Sequence, residues 1–336
     1  MKTPNRSMVS FGNVQKRYLL NFVSCFVLLV LVQVFMGNIH GTNYLVILTI
    51  NCCISIILAV SLNLTTGCLG EMVLGHAAFM AIGAYASAIL LKAVSMPALL
   101  GFFLGLILSF LMAGLIGFLV GIPALRLKGD YLAIITLGFG MIIKSLLEVL
   151  NFTGGAAGID GIPRNTTVVL SVLMVMVVVA FLFTFMRSRF GRSILAIREN
   201  EIAAAATGVP VTQVKVLTFA LSAALAGIAG ALYAQYMRSI SPATFHLDYS
   251  IEILVIVVLG GLGSFTGSIL AATILVILPE FLRVFNDYRM IIYSVALIII
   301  MLKKPGGILG RFEFSLSKLL IFIKTQFFRR KVKDHE

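Results

Sequence analysis

The sequence is poor in charge. Asp, Glu, Lys and Arg make up 12% of its 336 residues, about half of the ~25% usual in a soluble domain. Acid is scarcer than base, with 13 Asp and Glu against 26 Lys and Arg and a net charge of +13. Apolar residues reach 60% and the mean hydropathy is +1.07. A chain that apolar does not stay in solution as a globular domain. No Gly-Lys pair occurs anywhere, so the chain has no Gly-x-x-x-x-Gly-Lys-Ser/Thr loop to cradle a phosphate. The four cysteines, Cys25, Cys52, Cys53 and Cys68, have neither zinc nor CxxC spacing and sit in or beside apolar runs, so they read as small buried hydrophobes. HExxH spacing is absent too. Glu71 and His76 lie five apart with no second histidine in a crossing, so neither a metal site nor catalysis is expected. The surplus of base does not point to nucleic acid, because Lys and Arg fall between apolar runs rather than on one polar, aromatic-laced face.

What is present is a series of apolar segments of crossing length: near 18–36, 44–64, 71–91, 98–124, 131–150, 167–186, 214–237, 249–263, 266–284 and 288–302. The expectation is an all-α, polytopic membrane protein of about ten helices. The first run follows a polar, basic stretch (Lys2, Arg6, Lys16, Arg17) and has no small-x-small cleavage site after it. It reads as a retained helix. With the N-terminus inside, the outer side keeps only Lys92, Arg164, Arg238, Arg283 and Arg289, and Lys144 stays within a helix. All other Lys and Arg fall inside, which puts both termini in the cytoplasm. The expected organisation is a cytoplasmic segment at 1–17, a transmembrane domain at 18–304 and a basic amphipathic tail at 305–336 on the inner leaflet.

Certain segments depart from plain crossings. The run at 249–263 is short and meets the next at Gly260-Gly261-Leu262-Gly263-Ser264, the pattern of a broken or re-entrant helix. Gly101/Gly105, Gly117/Gly121, Gly263/Gly267 and Ala226/Gly230 stack small residues four apart, which permits close helix packing. Lys144 and Glu148 stand i, i+4 within a crossing, placed to neutralise each other or to touch a solute. Thr153-Gly154-Gly155 opens a glycine-rich stretch whose amides either receive a carboxylate or simply form a turn. Residues 187–215 are too polar to cross and too alanine-rich to be slack, and a helix is expected over Ser193–Ala206, stopped by Gly208 and Pro210. Such a helix suits a lever against a soluble partner, or is a solvated loop helix.

Three sets of residues carry a family resemblance. The first is Phe190-Gly191-Arg192, Ala196 to Ala204, Gly208-Val209, Lys215 and Phe219 to Leu232. The second comprises Gly67 to Tyr85, Leu125 to Gly138 with Gly129-Asp130-Tyr131 and Thr136-Leu137, and Thr153 through Gly158 to Pro163. The third is the glycine joint at 260–264. Over about residues 44–305 the chain closely resembles the Liv-type branched-chain amino-acid permeases of ATP-binding-cassette (ABC) importers, LivM subunit family. It departs in having Val73 where the family usually has serine, and in its longer basic tail.

The resemblance implies a transport subunit that is not itself an enzyme and binds no cofactor, with ATP and Mg on separate ATPase subunits. Its partners would be a second homologous permease, two ATPases, an extracytoplasmic substrate-binding protein and membrane lipid, with no nucleic acid. The 187–213 loop would couple to the ATPases through Gly191, Arg198, Glu199, Glu201, Ala203, Ala204, Gly208 and Lys215. His76, Thr136, Lys144, Glu148, Thr153, Gly154 and Gly155 are the candidates for the translocation path or its gating. Import of urea, short amides or another small solute stays open beside branched-chain amino acids. A secondary transporter is the rival of another class and would need membrane carboxylates without a coupling loop.

Overall fold

The structure is a computed structural model. It describes residues 43–310 apart from Ser95, Lys128, 283–287, Pro305 and Leu309. The expected crossing at 18–36 and the tail beyond Gly310 lie outside the described residues.

Nine of the expected crossings fall on helices. They are α1 (Asn43–Asn63), α2 (His76–Ala93), α3 (Ala98–Ala124), α4 (Asp130–Val149), α5 (Val168–Arg187), α8 (Val211–Met237), α9 (Leu247–Gly260), α10 (Phe265–Phe281) and α11 (Arg289–Lys303). Between α5 and α8 stand the short helices α6 (Arg189–Glu199) and α7 (Glu201–Ala206). Six of the helices are long and apolar enough to cross a bilayer, with shorter apolar ones after them. Large apolar side chains such as Leu99, Ile107, Leu111, Leu115 and Leu119 stand outward on α3, a surface stable against hydrocarbon and not against water.

In lipid, apolar surface alone does not drive helices together, so close approach depends on small residues. The core is built that way from α2, α3 and α8. Gly83 lies against Gly227, Gly230 against the Met80 carbonyl, and Gly117 against Ala223, each too near to leave room for a Cβ. The Ser109 hydroxyl donates to Gly83 O across the same seam at 2.6 Å. Phe79 fills the centre, with ring centroids 5.4 Å from Phe139 and 5.5 Å from Phe219.

Three expectations need correction. The crossing placed at 71–91 begins as a helix only at His76. α1 runs into a π-helical turn, Leu64–Leu69, and residues 70–75 that follow are not helical. The single loop helix over Ser193–Ala206 is two helices, because the Asn200 side chain leaves the helical path and accepts from Ala203 N at 2.9 Å, capping a new start. Gly263 and Gly267 do not share a helix face. Gly263 is in the joint, and Gly267 packs on Gly260 where α9 and α10 cross.

α9 has 14 residues, which at about 1.5 Å each span roughly 21 Å, less than the ~30 Å hydrocarbon core. At the other end of α8 from α6 and α7, β1 (Ile159–Asp160) and β2 (Ser239–Ile240) pair antiparallel, Ile159 opposite Ile240.

Candidate coupling and translocation site

The end of the bundle that carries α6 and α7 is held by charge. Lys215, on the second turn of α8, is 4% exposed. It donates to Glu71 Oε1 at 2.6 Å and meets Glu201 Oε1 at 3.2 Å. One ammonium therefore ties the base of α8 to the start of α7 and to the non-helical stretch after α1. Glu201 sits in the first turn of α7, where the helix dipole favours a carboxylate. Glu71 was noted in the sequence only for its spacing from His76. Its partner lies 144 residues away.

α6 also comes close to the glycine joint. Arg198 is in the last turn of α6. Its stem lies 3.4 Å from where a Cβ on Gly70 would stand, and its Nη1 lies 2.7 Å from a Cβ on Gly263. Beneath it Asn63 is fully buried. Its Oδ1 accepts from Gly263 N at 2.8 Å, and its Nδ2 donates to Ser264 O and Ser268 Oγ, both at 2.9 Å. A Cβ on Gly67 would collide with both Asn63 Oδ1 and Gly263 N. Sequence reasoning missed Asn63, although an asparagine closing the apolar run of α1 was the available signal.

The expected coupling residues divide. Gly191 is buried, and any Cβ there would strike the Met186 backbone, so it serves the fold-back of α6 beneath α5. Ala204 is 4% exposed and packs inward, which removes it from the face open to a partner. Glu199, Ala203 and Gly208 are exposed. Ile202, not singled out in the sequence, is 80% exposed beside them.

The translocation candidates also divide. His76 is buried, its Nε2 2.8 Å from Ser61 Oγ. Ser61 directs its hydroxyl hydrogen to Leu58 O at 2.9 Å, so the pair calls for the Nε2–H tautomer. Thr136 Oγ1 accepts from Leu74 N at 3.1 Å, and Ser250 Oγ accepts from Ala77 N at 3.0 Å. The non-helical stretch and the head of α2 are thus pinned to α4 and α9. Of the two readings of Thr153–Gly155, the geometry fits the turn. Gly154 N bonds Asn151 O and Gly155 N bonds Leu150 O, while the Thr153 hydroxyl lies on Leu147 O and Leu150 O. Those amides close the end of α4 and are not offered to a solute.

Lys144 and Glu148 stand 3.7 Å apart. Lys144 lines a cavity of about 290 Å³ between the head of α2, α4 and residues 245–250. His246 and Asp248 line it too, 3.9 Å from each other. An ionised side chain facing lipid at the centre of a crossing costs about 2.5–3.5 kcal/mol. Charges gathered on one groove mark a face turned to water or protein. Among the described residues no group of three or more His, Cys, Asp or Glu is placed to hold a metal ion.

A multi-pass bundle with an interrupted helix, a charged groove and a strapped-down polar loop defines a membrane transport permease. The chain belongs to the family described as branched-chain amino acid transport system / permease component, which matches residues 44–301. It is 38% identical to the high-affinity branched-chain amino acid transport system permease protein LivM of Salmonella typhimurium, over 76% of this chain and 68% of that protein. The LivM protein of Escherichia coli K12 matches at the same identity and coverage. The LivH permease of E. coli K12 is 33% identical over 38% of this chain and 41% of its own length. No solved structure matches. The relatives are transport permease subunits, not enzymes, and they belong to systems with more than one permease.

Proposed function

We propose that the chain is the LivM-type permease subunit of a prokaryotic ABC importer that carries branched-chain amino acids across the cytoplasmic membrane. In this reading it pairs with a homologous permease, and two ATPase subunits supply ATP and Mg. A binding protein delivers the solute from outside. Both termini and the 187–213 loop face the cytoplasm, as the distribution of Lys and Arg supports. The observation that carries the reading is the way the loop meets the irregular segments. Lys215 fastens α7 to the 70–75 stretch, and the Arg198 side chain of α6 lies against Gly70 and against Gly263 of the 260–264 joint. A push on the loop would reach the interrupted helix and the α9–α10 hairpin without passing through slack chain. Exposed Ile202, flanked by Ala203 and Gly208, supplies the apolar anchor for an ATPase cleft, and Glu199 lies on the polar rim.

The test is uptake of leucine, isoleucine and valine by proteoliposomes holding the whole complex. Uptake that needs internal ATP and external binding protein is expected. Uptake driven by an ion gradient without ATP would establish a secondary transporter instead. ATP-driven uptake of urea or a short amide, with none of the three amino acids, would replace the substrate.

A further inference from the structure

The described residues frame two cavities of different chemistry. The larger, about 540 Å³, lies between α3, α5 and α8 and is walled by apolar residues such as Phe110, Leu115 and Leu221. An ionised solute entering it would lose its hydration and gain no partner. The smaller, about 290 Å³, is near the lower end of ligand cavities, which run from roughly 300 to 1,000 Å³. It admits a small solute and little more.

Its walls carry charge of both signs and an apolar surface together. Lys144 brings an ammonium from α4, and Asp248 brings a carboxylate from the first turn of α9. Leu137, Met141 and Phe245 supply the apolar side. Neither charge is tightly held in the protein. Lys144 reaches Glu148 only at 3.7 Å, and Asp248 has His246 at 3.9 Å with its own side chain 85% exposed. Two loosely engaged opposite charges beside an apolar wall match an α-amino acid with an aliphatic side chain, which carries a carboxylate, an ammonium and a hydrocarbon branch. The fixed polar groups at the edge, Thr136 on Leu74 N and Ser250 on Ala77 N, keep the head of α2 in place so that the seat is formed before the solute arrives. Next to it the Tyr85 ring packs on Phe245 with centroids 6.3 Å apart, and its buried hydroxyl has no hydrogen-bond partner among the described residues.

We propose that this cavity is the substrate seat within the permease: Lys144 receives the carboxylate, Asp248 the ammonium, and Leu137, Met141 and Phe245 the aliphatic branch of a zwitterionic amino acid. The assignment rests on the import reading above and adds to it where the solute sits.

The experiment uses the assembled complex with Met141→Cys, a position 56% exposed, in a Cys25→Ser chain. Cys52, Cys53 and Cys68 are buried. Maleimide labelling of residue 141 is followed against added leucine, without the binding protein. Leucine is expected to protect. Its decarboxylated analogue 3-methylbutylamine and its deaminated analogue 4-methylpentanoate should need at least tenfold higher concentration. Adding Lys144→Met should raise the leucine concentration for half-protection at least tenfold and bring the ratio of leucine to 3-methylbutylamine near one. Asp248→Asn should do the same for the ratio to 4-methylpentanoate, and Lys144→Arg should stay within a few-fold of the parent. A change in these ratios separates binding from a structural role, which would weaken all three ligands alike. No protection by saturating leucine, or unchanged ratios in both variants, overturns the seat. Leucine uptake by the unmodified complex is measured alongside. A complex that imports leucine but shows no protection refutes the seat alone, whereas one that does not import leucine refutes the import reading.

Discussion

Two glycine-rich stretches of this chain look alike in sequence and are held in opposite ways. The stretch from Gly154 to Gly158 bonds to its near neighbours, and only the two residues after it, Ile159 and Asp160, pair with remote β2. Gly154, Gly155 and Gly158 direct their amides to Asn151, Leu150 and Gly155. The joint from Gly260 to Ser264 is gripped from afar by Asn63 some 200 residues earlier, with Arg198 of α6 lying against it. Glycine content therefore reports only that backbone must bend or approach closely. The role comes from what lies across from it. A turn closed on its neighbours transmits little, and a joint bonded to a remote helix moves when that helix moves.

The largest effect expected from breaking the gripped end is at Lys215. Lys215→Met leaves the partly buried Glu71 carboxylate without its cation, a change worth up to about 3–5 kcal/mol, read as a fall in the thermal midpoint of the purified protein. Adding Glu71→Leu should recover much of that loss, because a buried ion pair replaced by apolar side chains is often neutral. No recovery would mean that the Glu201 contact carries the effect.

Next is Asn63→Leu. Shape is nearly kept, but Gly263 N loses its acceptor, and Ser264 O and Ser268 Oγ lose a donor. Ser264 O still receives Ser268 at 3.1 Å, so the cost falls mostly on one orphaned amide and should be about 1–3 kcal/mol. The midpoint should fall less than in Lys215→Met. Thr153→Val at the self-closed stretch removes a hydroxyl bonded to two carbonyls of its own turn. It should cost about 1 kcal/mol and leave ATP-driven uptake unchanged.

The order of the crossings was legible because each is a long apolar run, and that signal survives any packing. The interruption at 70–75 was not. Met72, Val73 and Leu74 are as apolar as any helix, and hydropathy does not distinguish a helical from an extended apolar segment. The split at Asn200 was missed because the alanine-rich run that follows it hid a capping residue. In the site, Lys215, Glu201, Arg198 and the joint were found through family resemblance, but the contacts among them were not, since Glu71 and the joint are remote in sequence. Asp248 and His246 read as ordinary residues at a helix start. Only the fold brings them opposite Lys144. Gly154 and Gly155 misled for the converse reason, because a local turn had already taken their amides.

The smallest effects sharpen the comparison most, because one substitution can be made in both stretches. Gly161 and Gly263 have φ of +76° and +88°, so alanine at either incurs similar left-handed strain of about 1–2 kcal/mol. Their surroundings differ. A Cβ on Gly161 meets nothing within 4 Å, and one on Gly263 comes 2.7 Å from Arg198 Nη1 and 3.2 Å from the Gly67 carbonyl oxygen. The far end of an arginine can swing away at little cost but a backbone carbonyl gives less, so Gly263→Ala should have a somewhat lower thermal midpoint than Gly161→Ala. Function should separate them. Moving the guanidinium off the joint loosens the tie between α6 and the α9–α10 hairpin, so Gly263→Ala should hydrolyse more ATP per leucine imported, while Gly161→Ala keeps the parent ratio. Equal ratios in the two variants would show that Arg198 only rests on the joint and that motion of the loop passes through Lys215 alone.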